Sequence, residues 1–211
     1  MFTLCWAAKG GSGTTVVTAA MALASTEPTL LVDLAGDLPM VFGLAEPDGP
    51  GVLDWLRSEA EPDRLATLEL PVDGHISLLP AGRRGDPDPQ PERWIQMARW
   101  LRHDRRRIIV DAGSPSPPPA VREASDHAFL VTRPCYLALR TAIRQAARPS
   151  GVIVVDEPGR ALSHSDIERC LGAPVVARVL IDPAIARAVD AGLLVSRLPR
   201  GLQNALRAAA A

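Results

Sequence analysis

Lysine is almost missing from this chain. Lys9 is the only one, and arginine supplies the remaining positive side chains. The formal net charge is -1, so no global field draws the protein toward nucleic acid or anionic lipid. Contact with either surface needs a local patch, and the sequence does not indicate one. Cysteine is scarce too: Cys5, Cys135 and Cys170 lie far apart with no CxxC pair. That excludes a disulfide framework and a cysteine zinc site, and it fits a reducing cytoplasm. His75, His103, His127 and His164 have no metal-ligand spacing. Aromatics are 4% of the chain against 47% hydrophobic residues, so the core is built mainly from Ala, Val, Leu and Ile. Such a mixture suits a parallel sheet covered by helices. The first residues lack a basic stretch followed by a long apolar run, so no signal peptide is expected. No apolar run reaches the length of a membrane span.

The 211 residues suffice for one sizeable core. Short buried strands are expected at 2–7, 29–32, 76–80, 107–110, 127–132, 151–155 and 175–180. Helical segments are expected between them, clearest at 15–24, 91–103, 137–147 and 165–171. This alternation predicts a doubly wound α/β fold, a mostly parallel sheet flanked by helices in three layers. Residues 83–91 are charged and proline-rich and read as a mobile surface loop. The division expected is a nucleotide-binding domain at 1–199 and a short Ala-rich helical tail at 200–211. Leu198, Leu202 and Leu206 form a narrow apolar stripe leading into and along this tail, with Arg197, Arg200 and Arg207 as its basic residues. The stripe is too short for stable insertion into a membrane surface, and packing or a partner contact suits it better.

The chemistry concentrates in Lys9-Gly10-Gly11-Ser12-Gly13-Thr14-Thr15, between a strand and a helix. Glycines in that place let backbone N–H groups curl around an anion, and the helix N-terminus adds a favourable dipole. Against the phosphate-loop pattern GxxxxGK[ST], Gly13 and Thr15 match, Ala8 replaces the first glycine and Thr14 replaces the lysine. The plainer alternative is a tight turn between strand and helix. Two later strands end on carboxylates, Asp33 and Asp111. Asp111 is placed to hold Mg²⁺, with a structural strand-end role as its rival. Asp33 is either a helix cap or a group that positions metal or water.

The glycine segment resembles the deviant Walker A motif of the ParA/MinD family of P-loop ATPases (SIMIBI class), usually KGGxGK[ST]. Leu30–Leu34, Ile108–Gly113, Val131–Pro134 and Ile181–Gly192 resemble later family segments in the same order. The resemblance implies ATP and Mg²⁺ as cofactors, with residues 9–15 around the phosphates. Lys9, Asp33 and Asp111 would take the catalytic roles, and Thr15, Asp33 and Asp111 would surround the metal. In the family the lysine at the position of Lys9 reaches the nucleotide of a second copy, which implies a nucleotide-dependent homodimer. Asp37 falls in the adjacent switch region. Asp156 stands where the family often has an asparagine that reads the adenine edge. A carboxylate only accepts, so adenine N6 and guanine N1 and N2 both suit it.

Two functions follow from the resemblance. One is a cytoplasmic ATP-dependent switch that positions cargo and acts at a membrane or pole through a protein partner. Leu31–Leu44 and Asp182–Leu194 look most like the CpaE/TadZ-type members that localise pilus or secretion machinery. The other is a nucleotide-binding scaffold with little or no hydrolysis, because Thr14 offers a hydroxyl where a cation is usual. A metabolic amidoligase relative is a third reading. The lack of an additional substrate domain counts against it.

Overall fold

The computed structural model describes residues 1–83, 88–207 and 209. Strands are β1 (Phe2–Trp6), β2 (Thr29–Asp33), β3 (Leu70–Asp73), β4 (Ile76–Leu79), β5 (Arg107–Asp111), β6 (His127–Thr132), β7 (Gly151–Asp156) and β8 (Val175–Leu180). Helices are α1 (Thr14–Ala24), α2 (Leu38–Phe42), α3 (Val52–Leu56), α4 (Pro91–His103), α5 (Pro119–Ala124), α6 (Tyr136–Arg144), α7 (His164–Leu171), α8 (Pro183–Asp190) and α9 (Arg200–Leu206). Among the described residues these strands form one sheet in the order β3-β4-β2-β5-β1-β6-β7-β8. All neighbours pair in parallel except β3 with β4.

Alternation along the strands makes the two faces. Phe2, Leu4 and Trp6 of β1 join Leu30, Val32, Ile108 and Val110 on one side, under α3, α4, α5, α6 and α7. Cys5, Leu31 and Ile109 face the other side, under α1, α2, α8 and α9. Burial on both faces explains why β1, β2 and β5 read as nearly continuous apolar runs. The expected three-layer α/β fold is therefore the one observed.

The antiparallel edge strand β3 was not expected. Pro71 cannot donate to a ladder and is tolerated because the strand lies at the sheet edge. Gly74 and His75 make the two-residue connection between β3 and β4, and the Asp73 carboxylate accepts the Gly74 amide at 2.6 Å. Helix α6 stops at Arg144, short of the expected 147. Helix α7 starts one residue earlier than expected, with Ser163 and Asp166 bonding each other's backbone amides in a capping box. The loop expected at 83–91 falls partly on 84–87, which lie outside the described residues, as do 208, 210 and 211 of the tail.

Helix α9 packs on α1 and β8. Leu202 and Leu206 of its stripe are buried within the same core as α1, so they cover the sheet. No helix of the described residues is long and apolar enough to cross a membrane. Leu206→Ala removes a fully buried side chain and should cost about 2–5 kcal/mol. Urea unfolding measures this, and a loss under about 0.5 kcal/mol, the scale of a surface change, would show that α9 is not part of the cooperative core.

Candidate phosphate-binding site

Because β1, β2 and β5 are parallel neighbours, their carboxyl ends lie along one edge, where open α/β sheets bind ligands. Three connections meet there. The glycine turn leaves β1, the Asp33–Asp37 loop leaves β2, and Asp111–Ser114 leaves β5. Backbone bonds tie them together: Ala7 donates to the Gly113 carbonyl at 2.8 Å and Leu34 to the Asp111 carbonyl at 2.9 Å. A cleft of about 370 Å³ opens over this junction, lined by the turn from Gly10 to Val16 and by Ala35, Asp37, Gly113 and Ser114.

Gly11 (φ 77°) and Gly13 (φ 88°) both take left-handed backbone angles that reverse the chain into α1. Gly13 is the N-cap of α1 and supplies no side chain to cap it. Val17 is the first amide of the helix with an acceptor, the Gly13 carbonyl at 3.0 Å. Among the described residues the N–H groups of Thr14, Thr15 and Val16, which belong to residues lining the cleft, have no backbone acceptor, as expected of a helix start. The first turn carries no acidic residue to occupy them. An anion such as a phosphate answers both the free donors and the dipole. Ser12 bonds the Lys9 carbonyl at 2.8 Å and closes the turn from inside.

Charge in the cleft is unusual for such a seat. Among the described residues no Lys or Arg lines it, and the one charged lining residue is Asp37. Thr14 is 7% exposed and stands at the helix start without a cation. Lys9 is exposed, lies outside the lining and forms no ion pair among the described residues.

The two strand-end carboxylates are register partners, Asp33 opposite Asp111, and both are fully buried. Their surroundings differ. Asp33 Oδ1 accepts from Ala35 and Gly36 at 2.9 and 2.6 Å, and Oδ2 accepts from Leu38 at 3.0 Å. It builds the loop leading into α2 and does not line the phosphate cleft. Burial raises its pKa, and the three amides oppose that rise. Asp33 is expected as a catalytic and metal-shell residue, with a cap as its rival, and here its carboxylate accepts from the amides of Ala35, Gly36 and Leu38. Asp37, four residues on, is the carboxylate that reaches the cleft. Its signal was the Gly36-Asp37 step just before the Leu38–Phe42 helix.

Asp111 Oδ1 accepts from Gly113 at 3.0 Å, but Oδ2 is buried with no hydrogen-bond partner among the described residues. Burial pushes this carboxyl up to about 6, while the nearby Thr15 hydroxyl and the Gly113 amide hold it down and the charges of Asp33 and Asp37 add to the rise. An orphaned carboxylate oxygen beside a threonine hydroxyl, next to a phosphate seat, is an oxygen donor set that fits Mg²⁺. No group of three or more His, Cys, Asp or Glu among the described residues could hold a metal unaided. Phosphate oxygens and water would complete the shell. Asp156, at the end of β7, lies outside this cleft, bonded at Oδ2 to His164 and Arg178, both at 3.0 Å.

No family model matches the chain, and no curated protein matches it. Solved structures do. The fold is that of the P-loop ATPases ParA and MinD. A ParA family ATPase from Chlorobium tepidum superposes with a TM-score of 0.78 at 22% identity, covering 99% of this chain and 97% of that one. A chain of the MinC:MinD cell division protein complex of Aquifex aeolicus gives 0.80 at 22% identity, covering 100% and 94%. The septum site-determining protein MinD of Pyrococcus horikoshii, complexed with Mg-ADP, gives 0.76 at 19% identity, covering 99% and 94%.

The Asp111 carboxyl gives a pH test. In the unfolded chain an aspartate loses its proton near pH 4, whereas in the fold Asp111 holds it to about 6. The fold therefore loses stability as pH rises between those values, by up to about 3 kcal/mol, and the cost stays constant above them. Asp111→Asn should be more stable than wild type by that order at about pH 7.5 without ligand, with the gap closing by about pH 4. Urea unfolding across this range checks it, and a pH-independent gap would contradict the assignment.

Proposed function

We infer that this chain is a ParA/MinD-type nucleotide switch, which binds ATP with Mg²⁺ over the glycine turn, pairs with a second copy and positions a protein cargo. The observation that carries this reading is the uncapped start of α1, with its free amides facing a cleft between three strand ends. Residues 10–15 would hold the phosphates through backbone N–H groups and the Thr14 and Thr15 hydroxyls. Thr15 and Asp111 would hold Mg²⁺, which when bound offsets phosphate charge. Asp33 keeps the β2 loop in shape, and Asp37, on the cleft wall, is the carboxylate suited to orient an attacking water. The site of action is cytoplasmic, with attachment to a membrane or pole through the partner; cargo of the pilus or secretion type follows from the CpaE/TadZ-like segments.

Among the described residues the cleft has no basic side chain and one carboxylate, so a phosphate chain there needs positive charge from elsewhere. Lys9 stands exposed at the entrance of the turn and does not line its own cleft. A second copy facing the first would bring its Lys9 to the phosphates, so nucleotide and dimer would stabilise each other. The same deficit favours a second reading, a scaffold that binds nucleotide and scarcely hydrolyses it. Loss of one preorganised cation or donor at a phosphoryl site slows turnover by roughly 10²–10³.

Light scattering with a non-hydrolysable ATP analogue should move wild type from monomer toward dimer, while Lys9→Ala binds the analogue and stays monomeric. A Lys9→Ala protein that dimerises like wild type would remove the cross-dimer role. Thr14→Lys should raise phosphate release by about tenfold or more if the rest of the catalytic set is intact. Unchanged release with nucleotide still bound would select the scaffold.

A further inference from the structure

Beside the phosphate cleft lies a second hollow of about 220 Å³, and Gly13 and Val16 line both. Val17 of α1, Val155 at the end of β7, Val179 of β8 and Ile185 of α8 form its walls. A bulky group joined to phosphates over the turn meets this hollow next, and flat aliphatic walls suit the faces of a nucleobase.

Among the described residues the hollow lacks a side chain free to read a base edge. Among the described residues its polar side chains are Asp182 and Asp190, both exposed, and Asp182 Oδ1 already accepts the Ala184 amide at 2.7 Å as the cap of α8. The remaining candidate is Asp156, next in sequence to Val155. Its Oδ2 accepts from His164 Nε2 and from Arg178 Nη2, each at 3.0 Å, and it lines neither hollow. These bonds tie the carboxylate to the start of α7 and to the outer strand β8.

The geometry points to a nucleotide site that holds its base by apolar contact alone and does not distinguish adenine from guanine, because Asp156 is tied to Arg178 and His164. The inference rests on the reading of the glycine turn as a phosphate seat. A site that hydrogen-bonds a substrate group rejects analogues lacking it by about 10⁴–10⁵, whereas an apolar pocket separates close analogues by only about 10–200. ATP and GTP should fall at the low end, because both present the same kind of purine face to these walls.

Calorimetry on the full chain with Mg²⁺ and ATP, GTP or inorganic tripolyphosphate tests this. ATP and GTP should bind within about tenfold of each other, and tripolyphosphate more than about tenfold weaker than either. Ile185→Arg, which crowds the hollow from a half-buried position, should weaken both nucleotides by about tenfold and leave tripolyphosphate unchanged. Joint replacement Arg178→Ala and His164→Ala frees Asp156 to accept from guanine N1 and N2, and should shift the ratio toward GTP by about threefold or more. A wild-type preference beyond about tenfold for either nucleotide overturns the inference, as does tripolyphosphate binding as tight as ATP. An unshifted ratio in the double variant overturns the role given to the Asp156 tie. Failure of all three ligands to bind would instead refute the phosphate seat itself.

Discussion

Gly11 and Gly13 turn the chain with left-handed backbone angles from a buried strand into a buried helix, and the start of that helix is left uncapped. The other features of the site are placed by this turn. Thr15 follows it and stands beside Asp111 because β1 and β5 are register neighbours. The Asp33 loop reaches the cleft because β2 is the next strand across. The free amides need an acceptor, and among the described residues the fold itself supplies none.

The second constraint is charge. Among the described residues the cleft has no basic side chain and one carboxylate on its wall, so a phosphate held there would rely on backbone dipoles, a divalent cation and whatever a second molecule brings. Two buried carboxylates side by side make the ligand-free fold carry an electrostatic cost. Asp33 meets it with three amides, but Asp111 keeps an oxygen unpartnered among the described residues. That residual cost is what a bound cation would relieve, and a cation held there would couple nucleotide binding to stability at one residue.

Most of the architecture was legible because seven strands announce themselves as short apolar runs separated by helical stretches. The hidden strand, β3, alternates half-buried and exposed residues around Pro71, so hydrophobicity gives no run to find. The turn from Lys9 to Thr15 was legible from glycine spacing alone. The difference between Asp33 and Asp37 was not, because both are aspartates near one strand end. Only backbone directions decide which carboxylate turns inward and which faces the cleft. For the same reason the Asp156 tie could not be read: Arg178 is 22 positions away and meets it across the β7–β8 pairing.

Hydrogen–deuterium exchange over residues 7–16, with and without Mg²⁺-ATP, tests the phosphate seat most directly, since it reads the turn amides themselves. ATP with Mg²⁺ should slow exchange of the amides from Gly10 to Val16, and Mg²⁺ alone should not. Saturating nucleotide that leaves these amides exchanging at their free rate would contradict a backbone seat for the phosphates.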